Sequence, residues 1–378
     1  MARRADGQSR TANGTEMVLR LSRIRKRYGT VTALDDVSID VRAGEFLTLL
    51  GPSGSGKTTT LKIVAGFIRP DAGEVTLRGC DVTGVPAHKR GIGIVFQHYA
   101  LFPHMTAAAN IAFPLRVRRL ARSEIADRVR RALDLVRLTG FGDRYARQLS
   151  GGQQQRIALA RAIVFEPALL LMDEPLGALD RKLRDAMQLE ISRISRELGI
   201  TVIYVTHDQE EALALSDRIA IYNAGRIEQL GTGEELYETP ATLFAASFMG
   251  ESTVFRGCLD EVQGQPMLLS RGHHIPVSNR ACHRAGLERG QPAAMIVRPE
   301  RLRSDGAVGS SGGPSVSGVV LEELYLGSIR KYVVDLDGDQ RAIARVPLGS
   351  EQAWPPVGGR VHLTWNLEHG VLVPDDGA

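Results

Sequence analysis

The sequence predicts an α/β protein: a parallel-sheet core built around a phosphate-binding loop, with an antiparallel β part and a helical insertion, followed by a smaller all-β domain of barrel type. Three observations predict it. Gly51-Pro-Ser-Gly-Ser-Gly-Lys57-Thr58-Thr59 has the P-loop pattern: two glycines with four residues between them, then lysine and a hydroxyl residue. Short apolar runs, Phe46–Leu50, Ala168–Met172 and Val202–Val205, are separated by helical spacings and read as buried parallel strands. After about Gly250 the pattern changes to short alternating segments such as Tyr332–Leu336 and Val361, Leu363, Trp365.

A chain of 378 residues exceeds one typical core, so two domains are expected: a tail over 1–16, a first domain over 17–250 with its helical insertion at about 102–165, and a second over 251–378. Lys plus Arg number 47 against 43 Asp plus Glu, too small an excess to indicate nucleic-acid binding, and aromatic residues are sparse. Nucleic acid is therefore not an expected partner. Cys80, Cys258 and Cys282 lack metal-ligand spacing and read as reduced cytosolic thiols. Residues 1–16 carry arginines but no apolar stretch, so no signal peptide is expected. No apolar run approaches the roughly 20 residues of a spanning helix, so any membrane role would come through a partner.

Taken in order, Val18–Ile24 and Val37–Val41 alternate as antiparallel strands. Between them Tyr28 reads equally as a turn residue or as a stacking surface for a base. Phe46–Leu50 leads into the glycine loop, and Leu61, Val64 and Ala65 share one face of the following helix. Glu74–Leu77 and Gly93–Gln97 are further short strands, the second ending in a polar side chain that can face a ligand. Ile125, Val129, Ala132, Leu133 and Val136 mark an amphipathic helix with Ser123 as its expected N-cap. Leu149-Ser-Gly-Gly-Gln-Gln-Gln-Arg156 opens another helix. Leu183, Met187, Ile191 and Ile194 mark the next, and Asn223-Ala-Gly225 reads as a hairpin turn. Residues 304–317 are a Gly/Ser-rich loop, Asp337-Gly338 is a hairpin signal, and no long-period repeat is visible.

The chemistry is concentrated at strand ends. Glycines 51, 54 and 56 let backbone N–H groups approach phosphate oxygens at the positive end of a helix, with Lys57 and Thr58 in reach of the phosphates and of Mg²⁺. Asp173-Glu174 ends an apolar strand, where open α/β sheets bind ligands. Thr206-His207-Asp208 ends another. Ser150, Gly151 and Gly152 form a second helix start suited to an anion. Taken singly, Gln97, His207 and Asp180 could each be a satisfied polar group at an element's end.

The P-loop, Gln97, Leu149-Ser-Gly-Gly-Gln153, Asp173-Glu174, Leu176-Gly-Ala-Leu-Asp180 and His207 occur in the order of an ABC-transporter ATPase subunit, and residues 17–245 resemble that family. The second domain resembles the OB-like, TOBE-type regulatory module of ABC import ATPases, through Val297-Arg-Pro-Glu300 and Leu324-Tyr-Leu-Gly327. The resemblance implies an ATP-hydrolysing enzyme with ATP and Mg²⁺ as cofactors. Gly51, Pro52, Ser53, Gly54, Ser55, Gly56, Lys57, Thr58 and Thr59 would bind the nucleotide, with Tyr28 on the adenine. Thr58, Gln97 and Asp173 would serve the metal. Glu174 would be the general base, His207 the switch histidine that orients it, and Gln97 the reporter of nucleotide state. Ser150, Gly151 and Gly152 would face the ATP of a second, head-to-tail copy, and Gln153 and Asp180 would be further nucleotide-binding residues. The implied setting is a homodimer, peripheral on the cytoplasmic face of the inner membrane, docked to two permease subunits and supplied by an external solute-binding protein. Gly177 replaces a more usual serine, and Ala107–Ala109 stand where β-branched residues are frequent; neither removes a required group. The segments 95–105, 110–114 and 248–251 look closest to the spermidine/putrescine group. Iron(III), 2-aminoethylphosphonate, sulfate and sugar importers carry similar ATPases, and a soluble non-transport ABC ATPase is the remaining alternative.

Overall fold

The structure, a computed structural model, describes residues 16–177, 179–305, 313–336, 340–350 and 352–375. The expected tail, apart from Glu16, the Asp337-Gly338 turn and positions 306–312 of the Gly/Ser-rich loop lie outside the described residues. The chain divides into two compact units, 1–233 and 234–378.

In the first unit, β1 (Met17–Tyr28), β2 (Val31–Arg42), β4 (Ala72–Leu77) and β5 (Cys80–Asp81) form an antiparallel sheet in the order β2-β1-β4-β5. β3 (Phe46–Leu50), β6 (Gly93–Val95), β7 (Leu169–Asp173), β8 (Thr201–Thr206), β9 (Arg218–Asn223) and β10 (Arg226–Gly231) form a second sheet in the order β10-β9-β3-β8-β7-β6. Its strands pair in parallel except β10, which returns antiparallel on β9 through the expected hairpin. The apolar runs follow from this placement. Leu169, Leu171, Ile203 and Val205 pack toward the antiparallel sheet and α1 (Lys57–Ala65), while Leu170, Met172, Val202 and Tyr204 pack on the opposite, helical side. A strand covered on both faces has no position left for alternation with polar residues.

The helical side is built from α2 (Ala107–Val117), α3 (Arg122–Leu135), α4 (Gly151–Ile163) and α5 (Arg181–Leu198), and the short α6 (Gln209–Leu215) follows β8. Ser123 does not cap α3. The amide of Ile125 already bonds the Ala121 carbonyl, so the helix starts at Arg122 and Ser123 lies inside the first turn. Gln97 does not end a strand either: pairing with β7 stops at Val95, and Gln97 lies in a tight turn closed by the Tyr99 amide on the Phe96 carbonyl at 2.9 Å.

The second unit holds α7 (Gly233–Glu238) from Glu234 onward, α8 (Leu243–Phe248) and two five-stranded antiparallel sheets. One has the order β13-β12-β11-β14-β20, from β11 (Thr253–Val262), β12 (Gln265–Ser270), β13 (His273–Pro276), β14 (Pro292–Val297) and β20 (Val371–Pro374). The other has the order β15-β19-β16-β17-β18, from β15 (Arg303–Asp305), β16 (Ser315–Tyr325), β17 (Ile329–Asp335), β18 (Arg341–Pro347) and β19 (Arg360–Thr364). They share one core in which Phe255 stacks on Trp365 at 5.3 Å, and Thr253 Oγ1 bonds both the amide and the carbonyl of Ile343, joining β11 to β18. Among the described residues after β11, α9 (Asn279–Ala285) is the one α-helix between the strands.

The sequence pattern changes at Gly250, yet the division falls after Gly233. The reason is Arg298. Its buried guanidinium donates to the carbonyls of Tyr237 and Ala246 and to Ser252 Oγ at 2.7–3.1 Å, and stacks over the Tyr237 ring. Burial and the neighbouring Glu300 carboxylate push the Tyr237 hydroxyl up to about 12. This cluster fastens α7 and α8 to the end of β14.

Candidate functional site

The carboxyl ends of β3, β7 and β8 lie side by side, and each delivers part of one cluster. The glycine loop follows β3. Gly56 caps α1 at φ 109, and a Cβ there would come within 2.7 Å of the Ala33 carbonyl oxygen. A Cβ on Gly51 would come within 2.5 Å of the Tyr222 carbonyl oxygen. These two positions exclude any side chain, which leaves a backbone cradle. No side chain caps α1, so its first N–H groups stay available to an anion. Ser55 Oγ is buried there with no protein partner. Lys57 is folded back on the loop, its Nζ donating to the Gly51 and Pro52 carbonyls at 2.7 and 2.9 Å. Burial lowers its pKa, and the Glu174 and Asp173 charges oppose that.

Asp173 ends β7, and its Oδ1 accepts from the Thr58 hydroxyl at 3.4 Å. Burial and the adjacent Glu174 raise its pKa, a setting in which a nearby cation favours the ionised form. Glu174 follows at φ 43, a left-handed conformation unusual for glutamate, with its amide fixed on the Val205 carbonyl at 3.0 Å. That bend brings its carboxylate between two loops: Oε2 lies 3.3 Å from Gln97 Nε2, and Oε1 lies 3.4 Å from His207 Nδ1. Below His207 is a buried network. Tyr204 and Thr206 hydroxyls donate to Glu211 at 2.8 Å, and burial raises the Glu211 pKa. Asp208 caps α6 and takes Arg184 Nη1 at 3.2 Å, while Arg184 Nη2 donates to the Leu179 carbonyl.

The structure therefore gathers Lys57, Thr58, Gln97, Asp173, Glu174 and His207. Pro52, Ser53, Gly54 and Thr59 belong to the same loop and helix start. Tyr28 stands apart at the end of β1, half exposed, with Lys26 Nζ 5.6 Å from its ring centroid. Ser150 caps α4 as expected, through a reciprocal box with Gln153, and Asp180 caps α5. Gly152 is closed in, since a Cβ would meet Leu183 at 2.8 Å, whereas Gly151 is exposed. Among the described residues, no hydrogen bond or ion pair joins Ser150–Gln153 to the glycine loop. Sequence reasoning passed over Arg161, Arg184 and Glu211. A charged residue within the apolar stretch Leu159–Ile163 was the visible signal for the first; the other two show no pattern in the sequence.

A cavity of about 750 Å³ lies at the opposite ends of the same strands, among Gly44, Ala168 and Thr201. Open α/β sheets bind ligands at the carboxyl ends, and this cavity lies at the other ends of the strands.

The ABC transporter family model matches residues 34–177, and a TOBE domain model matches 295–373. A spermidine/putrescine import ATP-binding protein of Acidothermus cellulolyticus is 48% identical over 349 residues, covering 91% of this chain and 90% of that protein. The protein of the same description from Thermobifida fusca is 45% identical over 371 residues, covering 96% and 95%. This chain belongs to the ABC transporter ATPase family. Two solved ABC structures share the fold of the first unit. A dimeric ATP-binding cassette in a post-hydrolysis state, bound to ADP and Pi, matches 57% of this chain and 98% of its own at a TM-score of 0.51 and 32% identity. CbiO1 of Clostridium perfringens, part of an ABC transporter complex, matches 58% and 90% at 0.56 and 28%. The ABC ATPase is thus an ATP-binding, ATP-hydrolysing transporter subunit with a TOBE module, as its motifs led us to expect. Among the described residues, none of its helices is long and apolar enough to cross a membrane.

Proposed function

We propose that this ABC ATPase powers polyamine uptake, as a peripheral homodimer on the cytoplasmic face of the cell membrane, with two permease subunits and an external binding protein as partners. The observation that carries the solute class is the 48% identity, over nine-tenths of both chains, to a spermidine/putrescine import subunit. The dimer rests on the self-capped Ser150 start, which finds no nucleotide loop within its own subunit, and on the dimeric ADP-bound relative.

In this reading the backbone cradle and Lys57 hold the β- and γ-phosphates. The Thr58 hydroxyl and Asp173 carboxylate, 3.4 Å apart, are hard oxygen donors of the kind Mg²⁺ takes. No group of three or more His, Cys, Asp or Glu gathers among the described residues, so Thr58 and Asp173 are the side chains that would hold the ion. Bound there, Mg²⁺ supplies charge neutralisation on the phosphates. Glu174 takes a proton from the attacking water as its oxygen bonds the γ-phosphorus and the bond to the ADP oxygen breaks. His207 Nδ1 and Gln97 Nε2, one on each carboxylate oxygen, hold Glu174 in orientation. Ser150 and Gly151 of the second copy close over the γ-phosphate, and loss of that phosphate opens the pair.

Calorimetry of the binding protein that co-purifies with the transporter tests the solute class, using spermidine, putrescine, Fe³⁺ and 2-aminoethylphosphonate in turn. Heat with either polyamine is expected; tight binding of one of the others instead overturns the solute and leaves the ATPase untouched.

A further inference from the structure

The turn that carries Gln97 is strained, and one half-buried cation holds it. Tyr99 and Ala100 are consecutive non-glycine residues in the left-handed region, at φ 58 and φ 46. The Ala100 amide folds back on the His98 carbonyl at 2.6 Å, directly after the Phe96–Tyr99 turn. Such a pair persists only where its surroundings fix it. Here the fixing group is Arg161, in the last turn of α4. Its Nη2 donates to the Tyr99 carbonyl at 2.9 Å and its Nη1 to the Ala100 carbonyl at 2.8 Å. The guanidinium also lies over the Phe102 ring, 5.6 Å from its centroid, and Phe102 in turn packs on Phe113 at 4.7 Å. No carboxylate pairs with Arg161 among the described residues, so its hydrogen bonds are directed at this backbone.

We infer that Arg161 is a positioning residue for hydrolysis: it latches the left-handed turn that presents Gln97 to Glu174. A planar fork suits two successive carbonyls, which an ammonium point charge cannot grip equally. With the latch released, Tyr99 and Ala100 relax toward ordinary backbone, and the Gln97 amide leaves the Glu174 carboxylate 3.3 Å away. The same rigid helix begins at Ser150, so a displacement of α4 moves the Gln97 turn with it. The inference rests on the role proposed above for Glu174.

The test uses the full chain. Arg161→Gln is expected to lower kcat for ATP about tenfold while KM for ATP stays within about twofold, because the phosphate cradle is untouched. Without nucleotide, hydrogen exchange at the Tyr99 and Ala100 amides is expected to speed up about tenfold, read by mass spectrometry over that peptide. Glycine carries no left-handed penalty, so Ala100→Gly placed in the Arg161→Gln background is expected to recover kcat about threefold or more. A role in general stability predicts no such recovery. Should Arg161→Gln not fold, Arg161→Lys takes its place, with smaller changes of the same sign. Unchanged exchange at Tyr99 and Ala100, unchanged kcat, or no recovery with Ala100→Gly each overturns the latch. Glu174→Gln run alongside separates the two levels. If it retains turnover, the role of Glu174 fails; if it loses turnover while Arg161→Gln keeps it, the latch alone fails.

Discussion

Two helices of the first unit begin on glycine-rich turns, and they begin differently. At the start of α1 the cap is Gly56, and no side chain bonds the first amides. At the start of α4, Ser150 Oγ accepts from the Gln153 amide at 3.4 Å and Gln153 Oε1 accepts from the Ser150 amide at 3.0 Å. The first end is left open and is surrounded by Lys57, Thr58, Asp173 and Glu174. The second satisfies itself, and among the described residues no catalytic carboxylate bonds to it. A capping box stabilises a helix end in water, so the start of α4 can stand exposed without a ligand. The open end of α1 has no such side-chain partner, and the folded-back lysine donates to the Gly51 and Pro52 carbonyls rather than serving the helix amides. In the proposed head-to-tail dimer, one chain carries an open half of one site and a self-capped half of another.

The comparison breaks most visibly at α1. Glu174→Gln keeps the shape of the carboxylate and removes the base, so turnover is expected to fall by ~10²-fold or more while ATP is retained. Phosphate release measures the first, and nucleotide recovered with the protein on size exclusion measures the second. The expected product is an ATP-bound dimer. Near-normal phosphate release would take Glu174 out of its role.

At α4 the expected effect is one of assembly. Ser150→Arg puts bulk and charge where the cap sits, so a single subunit is expected to bind ATP normally yet fail to form the ATP-dependent dimer, with hydrolysis lost alongside. Light scattering with and without ATP reads the dimer, and filter binding reads the nucleotide. Ser150→Arg monomers that hydrolyse ATP at the parent rate exclude a composite site. A milder change sharpens the same contrast. Ser150→Ala removes one capping bond and is expected to cost about 1 kcal/mol, or roughly 2–4 °C in Tm for a unit of this size, seen by thermal melting without nucleotide. An equivalent loss is not expected at α1, which has no side-chain cap to remove.

Much of this site is legible in the amino-acid sequence. Apolar runs of four or five residues, followed by Gly51, Asp173 and Thr206, have to be buried parallel strands, and such strands place their carboxyl ends together. The Ser150 box is legible because Ser and Gln stand three residues apart, a local rule. What is not legible depends on tertiary placement. Glu174 at φ 43 and the left-handed pair Tyr99-Ala100 use residues that normally avoid that region, so no propensity announces them. Ser123 fits a cap by type, but Ala121 is already extended and accepts the first helical bond. Arg298 stands far along the chain from the carbonyls of Tyr237 and Ala246 that it joins, so the sequence offers only a change of pattern at Gly250.

That last difference yields the smallest expected effect, and it separates the two units as folding bodies. A truncation after Gly233 keeps every element whose contacts define the first unit. A truncation after Gly250 adds α7 and α8 but removes Arg298, which donates to the Tyr237 and Ala246 carbonyls. Without that guanidinium the two short helices, each six residues, are too short to persist on their own. Both truncations are therefore expected to fold, and their melting temperatures are expected to agree within roughly 2 °C, less than the shift from about 1 kcal/mol in a unit of this size. The contrast appears in proteolysis instead. Trypsin, which cuts after Arg and Lys, finds no site between Glu234 and Gly250, so chymotrypsin is the useful probe, with Tyr237, Phe244 and Phe248 as its targets. Rapid trimming of the 1–250 form to a product ending near Tyr237, alongside a stable full chain, is the expected result. Equal resistance of 234–250 in the truncated and full-length proteins would show that α7 and α8 are held by the first unit after all.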